Sequence, residues 1–323
     1  MEISQYQDEF LQFLNSKKWV KEPKNLYEPV EYILQLGGKR IRPVLTLMAA
    51  DIFGKDYHSA MNAALAVEVF HNFTLVHDDI MDDAPLRRGM ETVHEKWDIN
   101  TGILSGDVML ILAYQFFENY PPETFQKLAR LFSKTAIEVC DGQQLDVDFE
   151  TRTDVTIEEY IEMIRLKTSV LVAAALQMGA IVANASEKDS ESIYNYGLNL
   201  GLAFQLQDDF LDTFGDPETF GKQVGGDIIE NKKTFLYLKS LELANESDKE
   251  KIQYFYKQKL DDNSIKINEV TRIFEQYDIP LHVQNLIKDY TEKAFSSLNK
   301  MGISDKNKDI LRAFGMYLMS RNK

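Results

Sequence analysis

Three observations predict an all-α fold. Apolar residues recur at helical spacing through almost the whole chain. Breakers are sparse, with 16 Gly and 8 Pro in 323 residues. No strand signature of any length interrupts the pattern. A chain of this length that is 44% hydrophobic can bury a large core. No Pro/Gly/Ser-rich linker divides it, so residues 1–323 are expected to form a single domain.

The elements follow in order. Residues of about 5 to 18 and 26 to 36 carry apolar positions at helical spacing. Gly37-Gly38 breaks the second run, and Pro43 suits the first turn of a helix reaching about Ile52. A helix of about 59 to 82 ends near Pro85, and a basic turn, Leu86-Arg87-Arg88-Gly89, follows. Helices of about 102 to 118 and 123 to 146 flank Pro121-Pro122. Thr156 and Glu159 have capping-box spacing and open a helix that contains Lys167-Thr168. Another helix runs from near Lys188 to near Phe214. A turn-rich loop to Gly226 precedes an apolar helix from Thr234, and the remainder reads as charged amphipathic helices.

Composition excludes several functions. A net charge of −15 argues against a nucleic-acid or anionic-membrane partner. The single Cys140 excludes an intrachain disulfide and fits a reducing cytoplasm. It lies in an apolar run, so a buried, inert thiol is expected. The N-terminus shows no basic region followed by an apolar one, so no secretory signal is expected. The uncharged stretch Thr168 to Ser186 nears a membrane span in length, but its Gly, Asn, Gln and many Ala favour a buried core helix. No membrane span is expected.

The chemistry begins with a pattern that occurs twice. Asp78-Asp79-Ile80-Met81-Asp82 and Asp208-Asp209-Phe210-Leu211-Asp212 are both Asp-Asp-x-x-Asp. The first and last Asp of each are four residues apart and leave one face of a helix. Carboxylates this close repel one another and resist burial, and divalent cations relieve both costs. Oxygen donors without Cys or His suit Mg²⁺, which usually bridges to a substrate phosphate. His71, Thr74, Asp78 and Asp82 form one polar stripe on an apolar helix, and Gly201, Gln205, Asp208 and Asp212 form another. One such stripe is ordinarily a solvated face. Two of them, set among Phe73, Val76, Ile80, Phe204, Leu206 and Phe210, are expected to face each other and line a cavity.

Cations cluster beside both. Arg87-Arg88 follow the first motif, Lys222 and Lys232 follow the second, and Lys39 and Arg42 sit at a glycine-marked helix start. Arg gives bidentate contacts to phosphate and Lys a point charge. Together they suit two diphosphates, one held through Mg²⁺ and one by cations alone.

These residues resemble the trans-isoprenyl diphosphate synthases, or polyprenyl synthetases, which include the farnesyl and geranylgeranyl diphosphate synthases. The resemblance runs from about residue 26 to 240, with a similar helical tail. It is carried by Gly37-Gly-Lys-Arg-Ile-Arg-Pro43, His77-Asp-Asp-Ile-Met-Asp-Asp83 with Leu86-Arg-Arg-Gly89, Gly142-Gln-Gln-Leu-Asp146, Lys167-Thr168, and Phe204 to Asp212 with Gly221-Lys222.

The resemblance implies a bundle of about ten core helices around a deep cavity, usually in a homodimer. It implies that Asp78, Asp82 and Asp208 ligate three Mg²⁺ ions on the allylic diphosphate, with Asp79, Asp209 and Asp212 in support. Arg87, Lys167, Lys222 and Lys232 would contact that diphosphate. Lys39, Arg42, His71 and Arg88 would hold isopentenyl diphosphate without metal. Thr168 and Gln205 would sit beside the carbon that becomes cationic, and Gln143 and Asp146 would orient Lys167 or water. His77 and His94 are read as structural, and Arg321-Asn322-Lys323 as a closing tail.

The implied reaction is head-to-tail (1'-4) condensation of isopentenyl diphosphate with dimethylallyl, geranyl or farnesyl diphosphate. In this family a bulky residue five positions before the first Asp acts as a floor for the growing chain. Phe73 holds that place, roughly 7.5 Å along the helix from Asp78, with Phe70 roughly 12 Å away. Thr74 is small, and the first motif lacks a two-residue insertion. The pattern resembles a geranylgeranyl (C20) gauge, with farnesyl (C15) as the other product. Two alternatives stay open: a class I terpene cyclase, and a non-catalytic subunit of a heteromeric synthase.

Overall fold

In the computed structural model, which describes residues 3–215, 225–258 and 262–320, helix follows helix. Among the described residues the strands are Leu86–Arg87 (β1) and Met90–Glu91 (β2), paired as Leu86 with Glu91 and Arg87 with Met90. Two-residue strands leave no alternation to read, so the sequence showed only the turn. Arg88 and Gly89 both have positive φ, 55° and 79°, as a two-residue hairpin turn demands.

The chain divides into two compact units. The first comprises Met1–Lys134 and Ala174–Glu191. It holds α1 (Ile3–Asn15), α2 (Lys24–Gln35), α3 (Ile41–Ile52), α4 (Met61–Met81), the hairpin, α5 (Val93–Lys96) and α6 (Ile99–Phe117). α7 (Pro122–Thr151) begins here. A 3₁₀ turn, Tyr57–Ala60, leads into α4 and takes its N-cap from the Asp56 side chain.

α4 lies along α6 because α6 offers glycines where α4 offers side chains. A Cβ at Gly102 would stand 2.8 Å from Ile80 Cδ1, and one at Gly106 would enter the His77 ring. His77 Nε2 also lies 3.2 Å from the Ile103 carbonyl. Beneath, Phe70, Phe117 and Phe132 are fully buried, with ring centroids 5.0 to 5.3 Å apart at Phe132. Each such ring contributes about 2–3 kcal/mol through apolar burial.

The second unit comprises Thr135–Ala173 and Ser192–Lys323. Here α7 ends, and α8 (Ile157–Ile164) starts at a complete Thr156–Glu159 capping box. A π turn, Arg165–Ser169, joins α8 to α9 (Val170–Val182). α10 (Glu187–Phe214) enters from the first unit. Then come α11 (Gly226–Ile229), α12 (Phe235–Leu243), α13 (Glu246–Phe255), α14 (Ser264–Gln276), α15 (Ile279–Leu298) and α16 (Asp305–Met319). Tyr160, Leu206, Leu236, Phe274, Ile279 and Val283 are core residues of this unit.

Two expectations about burial resolve differently. The apolar stretch Ile157–Val182 passes a membrane-span test by length and composition. Its Val170, Ala173, Ala174, Ala175, Leu176 and Met178 are nevertheless fully buried, as a core helix requires. Cys140, by contrast, is exposed rather than buried. On α7 the inward positions are Leu128, Phe132, Thr135, Val139 and Gly142, spaced by three and four. Cys140 follows Val139 by one residue, which turns it about 100° off that stripe.

Candidate active site

In the first unit the Gly37–Pro43 motif makes the turn that its glycines suggest. Gly37, Gly38 and Arg40 have φ of 79°, 119° and 49°. Arg40 points inward and pairs with Glu68, also donating to the Leu34 carbonyl. Asn72 steadies the same carboxylate from one helical turn away at 2.9 Å. This buried ion pair pins the turn, leaving Lys39 exposed and Arg42 at the start of α3.

Arg42 Nη1 lies 3.1 Å from His71 Nε2. Arg88, at the hairpin tip, donates to the Gly37 carbonyl. A Cβ on Gly38 would stand 2.8 Å from the Arg88 guanidinium carbon, so Gly38 is where the hairpin tip meets the turn. Three of the four residues assigned to isopentenyl diphosphate (Arg42, His71 and Arg88), together with the turn that bears Lys39, therefore meet within one unit. Burial, then Arg42, Arg88, Arg87 and Arg40, hold the His71 imidazole well below its usual pKa. The ring is neutral at pH 7.

The first acidic motif closes α4. Asp82 is exposed and Asp78 partly buried. Asp79 is buried and receives Arg87 bidentately, Nε at 2.7 Å and Nη2 at 2.6 Å. The middle carboxylate thus holds a cation, while the outer two face the more open side of the helix. Phe73 is buried, its ring 5.5 Å from Phe70 and 4.8 Å from His77. Thr74 turns its hydroxyl to the His71 carbonyl at 2.8 Å.

In the second unit the π turn carries Lys167 and Thr168. Such turns often mark functional sites. Two glycines make room for it: a Cβ at Gly142 of α7 would collide with the Lys167 backbone, and one at Gly201 of α10 would stand 2.8 Å from Ser169 Cα. Lys167 Nζ donates to Asp146 Oδ2 at 2.6 Å. Gln143 lies one residue beyond Gly142 on α7 and is partly buried. Thr168 Oγ1 donates to Gln205 Oε1 at 3.2 Å, and Gln205 Nε2 donates to Asp209 Oδ1 at 3.0 Å. Tyr160 donates to the other Asp209 oxygen.

Again the middle aspartate is buried and engaged, while Asp208 and Asp212 are partly buried. Burial lifts the Asp209 pKa to about 7, with Asp208 and Asp212 adding to the rise and the Tyr160 and Gln205 bonds opposing it. Asp212 accepts from the Asp227 amide at 2.8 Å, and its carbonyl accepts from the Gly225 amide at 2.6 Å. It thereby fastens the start of α11. Lys232 is exposed and paired with Glu230 at 2.9 Å. Lys222 and Arg321–Lys323 lie outside the described residues.

Sequence reasoning missed four contributors. Tyr160 holds a buried position of α8 that helical spacing does not set apart from other core aromatics. Arg40 lies inside the Gly37–Pro43 motif, and its partner Glu68 stands among apolar neighbours 28 positions on. Asp227 follows the turn-rich loop, in the first turn of α11, and burial beside Asp209 and Asp212 pushes its carboxyl well up. A lone charge in an apolar helix, as at Glu68, was the one available signal.

The outer aspartates offer only carboxylate oxygen, at least partly accessible, beside charge-bearing residues. That donor chemistry fits Mg²⁺. Comparisons agree. Residues 23–274 match the Polyprenyl synthetase family. A crystal structure of a geranylgeranyl pyrophosphate synthase superimposes with a TM-score of 0.95 at 54% identity, covering 100% of both chains. The geranylgeranyl diphosphate synthase of Saccharolobus solfataricus is 35% identical over 330 residues, covering 100% of this chain and 99% of its own. A geranylgeranyl pyrophosphate synthase of Corynebacterium glutamicum, complexed with isoprenyl diphosphate and magnesium, has a TM-score of 0.86 at 26% identity, covering 99% of this chain and 98% of that one. Sequence motifs, helical architecture and relatives converge: this chain belongs to the polyprenyl synthetase family.

Proposed function

We propose that the chain is a Mg²⁺-dependent prenyltransferase that condenses isopentenyl diphosphate with dimethylallyl, geranyl and farnesyl diphosphates. Its product is a short all-trans prenyl diphosphate, geranylgeranyl diphosphate (C20) first and farnesyl diphosphate (C15) second. The observation that carries this reading is the division of labour within each acidic motif. Asp79 and Asp209 are buried and hydrogen-bonded, while their outer neighbours are the more accessible. The family match runs through both units, and we assign residues 1–323 to one synthase domain.

Asp78, Asp82 and Asp208 are the proposed ligands of three Mg²⁺ ions, with Asp212 in support. Mg²⁺ supplies positive charge against the diphosphate as it leaves. Arg87, Lys167, Lys222 and Lys232 bind the allylic diphosphate. Lys39, Arg42, His71 and Arg88 hold the other diphosphate, and a neutral His71 offers a hydrogen bond without adding charge. Thr168 and Gln205, fixed by their mutual bond and by Asp209, present oxygen dipoles beside the allylic carbon. The alkene attacks that carbon, and the departing diphosphate takes the proton, so no dedicated base is needed. Phe73 closes the path of the growing chain, backed by Phe70.

A homodimer is supported by α6. Ile103, Leu104 and Ile111 are 41%, 58% and 57% exposed on a helix that otherwise packs against α4. Bare apolar stripes of this kind are usually covered by a partner. The lone exposed thiol suits a reducing cytoplasm.

One incubation tests the reading. The purified chain with Mg²⁺, labelled isopentenyl diphosphate and each of the C5, C10 and C15 primers should consume label and give C20 product. A cyclic hydrocarbon from a single primer would establish a terpene cyclase, and absence of turnover a non-catalytic subunit.

A further inference from the structure

The hairpin between the first acidic motif and α6 has a feature that diphosphate binding does not use. Asp83 stands at one end of its root, and His94 and Glu95 at the other. One ligand atom from each of these three side chains lies within 4.8 Å of the other two. The His94 side chain is only 4% exposed, yet neither ring nitrogen has a hydrogen-bond partner. Nε2 stands 3.7 Å from Glu95 Oε1, too far for a hydrogen bond. A buried imidazole without a partner is costly and calls for an explanation.

We propose that Asp83, His94 and Glu95 form a binding site for a divalent transition-metal ion of the Zn²⁺ type. The three donors are near enough for small side-chain adjustments to gather them around one ion, since two donors each about 2.1 Å from a metal stand roughly 3–3.5 Å apart. One neutral imidazole and two carboxylates balance a 2+ charge. The nitrogen donor favours Zn²⁺ over Mg²⁺. Asp83 and Glu95 are exposed and His94 is buried, so the ion has protein on one side and water completing its shell on the other.

The site is distinct in donors from the carboxylate-only motifs. Its place in the fold indicates its use. Asp83 precedes β1 and His94 follows β2, so the ion ties together the two ends of the segment bearing Arg87 and Arg88. Two bonds already close that root, Thr92 Oγ1 to the Ala84 carbonyl at 2.8 Å and the Thr92 amide to the Pro85 carbonyl at 3.2 Å. The metal is a third fastening beside them. The role of the two arginines rests on the proposed function; the metal site does not.

The test is calorimetric titration of Zn²⁺ into the metal-stripped full chain without substrates. One equivalent should bind tightly, and Asp83→Asn and His94→Gln should each weaken that equivalent tenfold or more. The double variant Asp78→Asn/Asp208→Asn should retain it. Zinc-edge X-ray absorption should report one imidazole nitrogen among oxygens. Unchanged affinity in both Asp83→Asn and His94→Gln, or loss in the double variant, overturns the proposal. So does absence of binding. Asp83 is exposed, so its variant keeps the test decisive should His94→Gln fail to fold.

Discussion

Arg42 donates to His71 Nε2 across 3.1 Å, and because arginine can only donate, the proton of the neutral ring sits on Nδ1. Burial, and then the surrounding arginines, disfavour a second proton. His71 should therefore titrate well below the range of an ordinary histidine. The unfolded chain binds that proton below about pH 6.5 and the native chain does not, so this residue costs stability as pH falls, up to about 1.4 kcal/mol per unit. Ring nitrogen NMR shifts of labelled protein check this. A midpoint near 6.5 for His71 would refute the assignment. His71→Gln should flatten the acid limb of the stability profile.

Phe73→Ser should lengthen the product by at least one isoprene unit, read by mass spectrometry. The same change opens a void beside Phe70 and costs about 3 kcal/mol. Destabilisation with an unaltered product would reduce Phe73 to ordinary core.

Tyr160→Phe removes one of two donors to a buried carboxylate. The expected loss is about 1–3 kcal/mol in denaturant unfolding. If Asp209 positions Gln205, turnover should fall as well, with the KM for isopentenyl diphosphate little changed. A KM effect confined to isopentenyl diphosphate would contradict that chain of bonds.

Gly142→Ala sets a methyl group against the Lys167 backbone. Backbone cannot swing aside as a side chain can, so the π turn must shift. A drop in kcat of about tenfold or more is expected, since small misplacements at a reacting centre are costly. Wild-type turnover would mean that the turn yields freely.

Lys266 is fully buried and donates to Asn231 Oδ1 at 2.7 Å and to the Ile229 carbonyl at 3.2 Å. It anchors the segment that leads to Lys232. Lys266→Met should cost about 2–4 kcal/mol by stranding those acceptors, seen as a lowered denaturation midpoint. A neutral effect would show that water replaces the ammonium.

Helix existence, the capping box at Thr156 and both Asp-Asp-x-x-Asp faces were legible because each rests on local spacing. Residues three or four apart share a face whatever surrounds the helix. The Arg42–His71, Lys167–Asp146 and Thr168–Gln205 pairs were assigned to common roles by resemblance, and the fold brings each within 2.6 to 3.2 Å. The two-residue strands, the exposure of Cys140 and the buried Lys266 were not legible. Cys140 missed its predicted burial by a single step around α7, which no composition registers.

The sequence alone therefore specified the helices, the carboxylate pairs and the chemistry they suit. Which aspartate of each motif is buried, and by what it is held, depended on long-range packing. Asp79 and Asp209 are identical to their neighbours as residues. They differ in that Arg87, eight positions on, holds Asp79, and Tyr160, on another helix, holds Asp209. Carboxylate against carboxylate is a distinction of environment, and environment comes from contacts that spacing along the chain does not encode.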